Sequence, residues 1–195
     1  CDTTKPTIGF LLGHHEISRK KMQQITGELS HSANIESLYI DQFTDLNEYK
    51  VICLVGPKEP FSQEEIIRLN QYLEQGGRIY IALNHAVGKM SFNQNNGFIN
   101  RVGIEDMLED FGLKINYDFV VDSDCGRIRV TQDQGFVQFQ TDIPFPYIPI
   151  IRNFSSHVIT KGLNAISLQF ASSITNVKTT SAYTYTPLAK SSSVS

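Results

Sequence analysis

Two adjacent imidazoles and a carboxylate, His14, His15 and Glu16, follow the first apolar run of the chain, and another imidazole, His85, follows a later one. Two histidines and a carboxylate make a zinc ligand set, and a histidine beside a thiol or hydroxyl is the pair that activates a nucleophile. The spacing argues against both. Adjacent side chains in a loop do not converge of themselves, and the His-Glu-x-x-His geometry of a helical zinc site is absent. Cys53 lies inside the apolar run 51–55 and reads as a small packed hydrophobe. Asn84-His85-Ala86 stands where an amidotransferase or hydrolase sheet carries Ser or Cys on a glycine-flanked turn, and neither Asn nor Ala is a nucleophile. Ser91 comes too late for that turn. Gly13 opens no G-x-x-G phosphate loop, and no Walker lysine pattern exists. The expectation is a chain without catalytic residues, metal or cofactor. Glu16 or Ser18 would then start a helix, with the histidines as solvated loop residues.

These residues depend on a sheet for their placement. Short β-rich runs alternate with helical patterns through the first half, the mark of βαβ units and a mostly parallel sheet with helices on both faces. Strands are expected at 8–12, 35–40, 51–55 and 78–83. A first helix over 18–30 should turn Met22, Ile25 and Leu29 inward. Ser62 and Glu65 form a Ser-x-x-Glu capping box, with Phe61 and Ile66 placed for a hydrophobic staple. Ile66, Leu69 and Leu73 give that helix one stripe, and Gly76-Gly77 supplies its stop. In an open parallel sheet, ligands gather at the carboxyl ends of strands. That selects Gly13, His14 and Glu16, then Gly56 and Pro57, then Asn84 and His85, as the surface for a ligand or partner.

Further on, a helix is expected at 103–111 with Ile104, Met107, Leu108 and Phe111 on one face, then a strand at 114–121. Beyond Asp122 an antiparallel hairpin, within about 123–142, turns at Gln132-Asp133-Gln134-Gly135. Three prolines in 143–149 predict an extended or turning segment excluded from any central strand. Residues 167–174 read as the last strand. The organisation expected is one α/β domain over 1–178 and a Ser/Thr-rich tail or linker over 179–195. Phe145-Pro146-Tyr147 reads either as a docking surface or as cover for a sheet edge.

A chain of 195 residues, 41% apolar and 19% charged, is long enough to bury one core. Its net charge of -3 disfavours nucleic acid as a partner. No run reaches the roughly 18 apolar residues of a membrane span, and no signal peptide is apparent, so the chain as it stands reads as soluble. Three cysteines form no disulfide framework. Cys1 reads as a chain boundary, with a lipid-bearing residue of a mature lipoprotein as the alternative.

The order Lys5-Pro6-x-Ile8-Gly9-Phe10-Leu11-x-Gly13-His14-x-Glu16, then Val51-Ile52-x-Leu54-Val55-Gly56-Pro57-Lys58-x-Pro60-Phe61-Ser62, then Leu69-x-Gln71-Tyr72-Leu73-x-x-Gly76-Gly77-Arg78, resembles the gliding-motility-associated ABC transporter auxiliary family. Ile159-Thr160-Lys161-Gly162-Leu163 and Leu168-Gln169-Phe170-x-Ser172-Ser173-Ile174 resemble that family's ending. His15 stands where a smaller residue is expected. The resemblance implies a flavodoxin-like, class I glutamine-amidotransferase-like fold that has lost catalysis, similar also to the N-terminal domain of an intraflagellar transport protein. It implies an extracytoplasmic (periplasmic) module of a membrane-anchored subunit, tethered to the inner membrane through segments outside this chain. Its partners would be other ABC transporter subunits, with a carbohydrate or peptide ligand at the strand ends. The alternatives are a small-molecule or carbohydrate binding protein of the transporter, and a hydrolase or amidase on the same fold.

Overall fold

Strands β1 (Thr7–Leu11), β2 (Asn34–Leu38), β3 (Val51–Val55) and β4 (Ile79–Ala82) form a parallel sheet of order β2-β1-β3-β4. The computed structural model describes residues 5–91, 94–134, 137–177 and 183–192. The core strand β3 is apolar throughout because both its faces are covered, and Ile52 and Leu54 are fully buried. Close approach dictates Gly9 in β1: a Cβ there would lie 2.7 Å from the Tyr49 ring.

The first helical segment departs from the expected single helix. A 3₁₀ turn over Arg19–Met22 precedes α1 (Gln23–Ser30). Arg19, Lys20 and Lys21 occupy the positive end of the dipole and Ser18 caps nothing with its side chain, so the start is poor. Met22 and Leu29 pack with Phe10 and Cys53, whereas Ile25 is exposed and not part of the expected stripe. The second helix, α2 (Gln63–Glu74), follows the sequence closely. Ser62 Oγ accepts the Glu65 N–H and Glu65 accepts the Ser62 N–H, completing the capping box. Leu69 and Tyr72 are buried, and Gly76 takes φ 88° past the end. A short helix α3 (Glu105–Asp110) buries Ile104, Met107 and Leu108.

The described chain forms two compact units, Cys1–Asn84 with Asn100–Phe111, and His85–Ile99 with Gly112–Ser195. Some residues expected as loop or tail form strands of their own. In the second unit β5 (Ala86–Ser91) pairs antiparallel with β6 (Gln94–Ile99), where a loop after the fourth strand was expected. Of the strand expected at 114–121 only β7 (Leu113–Ile115) forms. Beyond it the backbone pairing thins to bonds from the Asn116 N–H to Ser173 O and the Val120 N–H to Ala171 O, and side chains add to it: the Asn116 amide donates to Ser173 Oγ, and Asp118 accepts the Ser173 N–H and hydroxyl at 2.8 and 2.6 Å.

The expected hairpin is present and longer, β8 (Cys125–Gln134) against β9 (Val137–Ile151). Its register pairs Gln134 with Val137, and residues 135 and 136 lie outside the described residues. The proline stretch 143–149 runs extended, as expected, within β9; β9 lies between β8 and β11 (Ile166–Ser167), with β10 (Asn153–Phe154) between these in the chain, but is flanked on both sides only beyond the prolines. Proline fits there because neighbours use the carbonyls: Asp122 donates to Pro146 O, Leu168 to Pro149 O and Phe170 to Tyr147 O. The β8 register breaks between Cys125 and Arg127, and β11 pairs with β9 only at Ile150 and Ile151. The strand expected at 167–174 is interrupted at Phe170, whose φ is 52°, and resumes as β12 (Ile174–Asn176) against β7.

Part of the expected tail also pairs. Within 183–192, β13 (Ala189–Lys190) runs antiparallel to β10, and Asp122 accepts the Ser192 N–H and hydroxyl, each at 2.7 Å. These bonds, with the Asp124 N–H, hold the Asp122 carboxyl below its usual range. Asp122→Ala should therefore speed amide exchange at Ser192 and across the β10–β13 pair. Unchanged protection there would refute the clasp.

Candidate functional site

The sheet order reverses direction between β1 and β3, and in doubly wound sheets the crevice at such a switch point is where ligands bind. The loops after these strands carry Gly13, His14, Glu16, Gly56 and Pro57. Gly13 has φ 130° and Gly56 φ 64°, both in the glycine region. His15 takes φ 56°, a left-handed position.

The two loops are bonded to each other. The His14 carbonyl accepts N–H groups from Lys58 at 2.7 Å and Glu59 at 3.2 Å, and the Ile17 N–H donates to Val55 O at 3.0 Å. Pro57 is fully buried, and its carbonyl accepts from the Asn100 amide at 3.0 Å. The Phe61 N–H donates to Val102 O. Residues 100–105 thus brace the second loop from behind.

His14 is buried, which corrects its reading as a solvated loop residue; His15, on the other hand, is exposed beside Glu59. The imidazole stacks on Phe61 with centroids 3.9 Å apart. Its Nε2 lies 3.3 Å from Glu65 Oε2, and its Nδ1 faces Glu16 Oε1 at 3.4 Å. That distance is within ion-pair range, but Nδ1 and Oε1 are both buried without a hydrogen bond, so proximity and burial are the parts of this contact that carry weight. Glu16 is also not at a helix start: Oε2 accepts the His14 N–H at 2.9 Å, and its side chain is 2% exposed.

Glu65 joins the site through its capping box. Burial raises its carboxyl pKa, but bonds from the Ser62 hydroxyl and N–H, together with the His14 imidazole, outweigh that and hold it below its ordinary value. A depressed folded-state pKa stabilises the fold above the unfolded value and ceases to do so as pH falls through the folded one. Denaturation midpoints measured from pH 6 downward should therefore fall more steeply in the native chain than in Glu65→Gln below the ordinary carboxylate range, about 4.3. Parallel profiles would exclude Glu65 as a source of acid sensitivity.

Of the other expected site residues, Asn84 is exposed at the end of the first unit. His85 belongs to the second unit and is buried, again not solvated. Its Nδ1 donates to Ile115 O at 3.0 Å and its ring stacks on Tyr117 at 4.4 Å. Among the described residues no group of three or more His, Cys, Asp or Glu is arranged to hold a metal. Cys53 packs as expected, and burial pushes its thiol up to about 11. At pH 8 only about 0.1% would be thiolate, so iodoacetamide should modify it about a hundredfold more slowly than free cysteine. Alkylation of the folded chain at the free-thiol rate would contradict that burial.

Phe61 and Glu65 were legible as helix-start residues and not as partners of His14. Asn100 carried no signal, since its contact spans 43 positions of sequence.

A family model described as an ABC-type uncharacterized transport system matches residues 5–195. The human intraflagellar transport protein 52 homolog is 33% identical over 104 residues, which cover 52% of this chain and 21% of that protein. The chain thus spans about a fifth of the curated relative it matches. A solved structure titled mmIFT52 N-terminal domain superposes with TM-score 0.57 at 23% identity, covering 89% of this chain and 69% of that one, a likeness of fold. Among the described residues no helix is long and apolar enough to cross a membrane.

Proposed function

The chain belongs to the ABC-type uncharacterized transport system family, and from that premise we propose that it is a non-catalytic auxiliary domain that works through contacts with other transporter subunits. The observation that carries this reading is the filled switch point. The groups that in a binding or catalytic sheet would face a ligand are packed against one another: the His14 ring against Phe61, Glu16 and Glu65, with the His14 carbonyl accepting from Lys58 and Glu59. The buried Cys53 thiol and the stacked His85 likewise weigh against the hydrolase or amidase alternative. Strand order 2-1-3-4 supports a flavodoxin-like, amidotransferase-like ancestry. In this reading the domain is extracytoplasmic, of gliding-motility type, and tethered to the inner membrane by segments outside this chain. A carbohydrate or peptide would bind on its surface.

The test uses the full-length protein in its own membranes, with crosslinking and purification of whatever transporter subunits it retains, alongside amide and ester hydrolysis assays of this domain. Retained transporter subunits and no turnover are expected. Turnover that disappears in His14→Ala or His85→Ala would overturn the reading.

A further inference from the structure

At the opposite, amino ends of the strands the first unit has a hollow of about 380 Å3, lined by residues 5–7, 47–50, 72 and 75–78. That is within the range of small-molecule sites, about 300–1,000 Å3. Glycine makes the space. The Tyr72 ring lies flat over Gly77, where a Cβ would come within 2.4 Å of it, and the Tyr72 hydroxyl is fixed by the Tyr49 and Arg78 carbonyls. Three cations line the hollow, Lys5, Lys50 and Arg78, against one carboxylate, Glu48. This is a local inversion in a chain of net charge -3. Lys5 is partly spent, donating to Ser30 O at 2.9 Å. Among the described residues, the side chains of Lys50, Arg78, Asn47 and Gln75 have no hydrogen-bond or ion-pair partner.

We infer that this hollow is an oxyanion site for a phosphate-bearing ligand, with Arg78 and Lys50 as its charged contacts and Asn47 and Gln75 as neutral donors. A guanidinium offers two parallel N–H groups to phosphate, and a lysine adds a point charge. Glu48 opposes ligands of high negative charge and favours a phosphomonoester or phosphodiester over polyphosphate. The inference is independent of the transporter role, because the hollow uses none of the switch-point residues on which that reading rests.

The test is an NMR titration of the whole 195-residue chain with inorganic phosphate, and co-sedimentation with phosphatidylglycerol vesicles against phosphatidylcholine vesicles. Phosphate should shift the amides of Lys5, Thr7, 47–50 and 75–78. Arg78→Ala and Lys50→Ala, both at exposed positions, should each weaken the response about tenfold. Arg129→Ala, on an exposed strand of the second unit, should leave it unchanged. A phosphate response without vesicle retention assigns a soluble phosphorylated ligand. Retention on phosphatidylglycerol that phosphate competes away assigns a lipid headgroup. Neither response, or one that Arg78→Ala and Lys50→Ala leave intact, overturns the site.

Discussion

His14→Ala should lower the unfolding free energy by about 3 kcal/mol, measured by urea denaturation at neutral pH. The stack on Phe61 contributes about 1 kcal/mol of that. The remainder comes from the space left in a buried pocket and from Glu16, whose enclosed carboxylate loses the imidazole 3.4 Å away. His14→Phe keeps the ring over Phe61 and removes the nitrogens, so it should recover the stacking part only. Backbone bonds from Lys58 and Glu59 to the carbonyl at position 14 survive both changes, so the loops should stay joined while the side-chain cluster is lost. A cost below about 1 kcal/mol for the alanine variant would mean that the cluster is not what stabilises this end of the sheet.

Gly77→Ala should cost a comparable amount, about 3 kcal/mol, from a single methyl group. The added carbon would sit 2.4 to 2.5 Å from three atoms of the Tyr72 ring, so the ring must move. Moving it breaks the hydroxyl bonds to Tyr49 O at 2.9 Å and Arg78 O at 3.3 Å, and Tyr72 is a buried residue of α2. The adjacent Gly76→Ala is the control. It meets nothing within 4 Å but sits at φ 88°, so it should cost only the backbone penalty, about 1 kcal/mol. If Gly77→Ala cost no more than Gly76→Ala, the ring would be yielding to the added methyl and the tyrosine contact would not be the reason for glycine at 77. Thermal or urea midpoints of the two proteins decide it.

These two sites divide differently between sequence and structure. The α2 start was readable because every partner lies within three residues: Ser62 and Glu65 close on each other whatever surrounds them. The apolar run 51–55 likewise announced a buried parallel strand, and Gly76 announced the helix stop. Local chemistry of this kind is written in order along the chain.

Readable along the chain, then, were the parallel βαβ alternation and the capped second helix. How the strand-end side chains pack was not readable, because their partners are far apart in sequence. His14 and Glu65 are 51 residues apart, and no periodicity signals that an imidazole will be enclosed by a helix cap and a phenylalanine. The second unit shows the same limit. Prolines argued against two-sided pairing over 143–149, yet that stretch belongs to β9, whose pairing with β11 begins only past Pro149 and whose proline carbonyls accept from Asp122 and Leu168. Ser192 is held by a carboxylate 70 positions away. Hydrogen-bond demand is a property of each residue, but which distant group satisfies it is settled only when the chain packs.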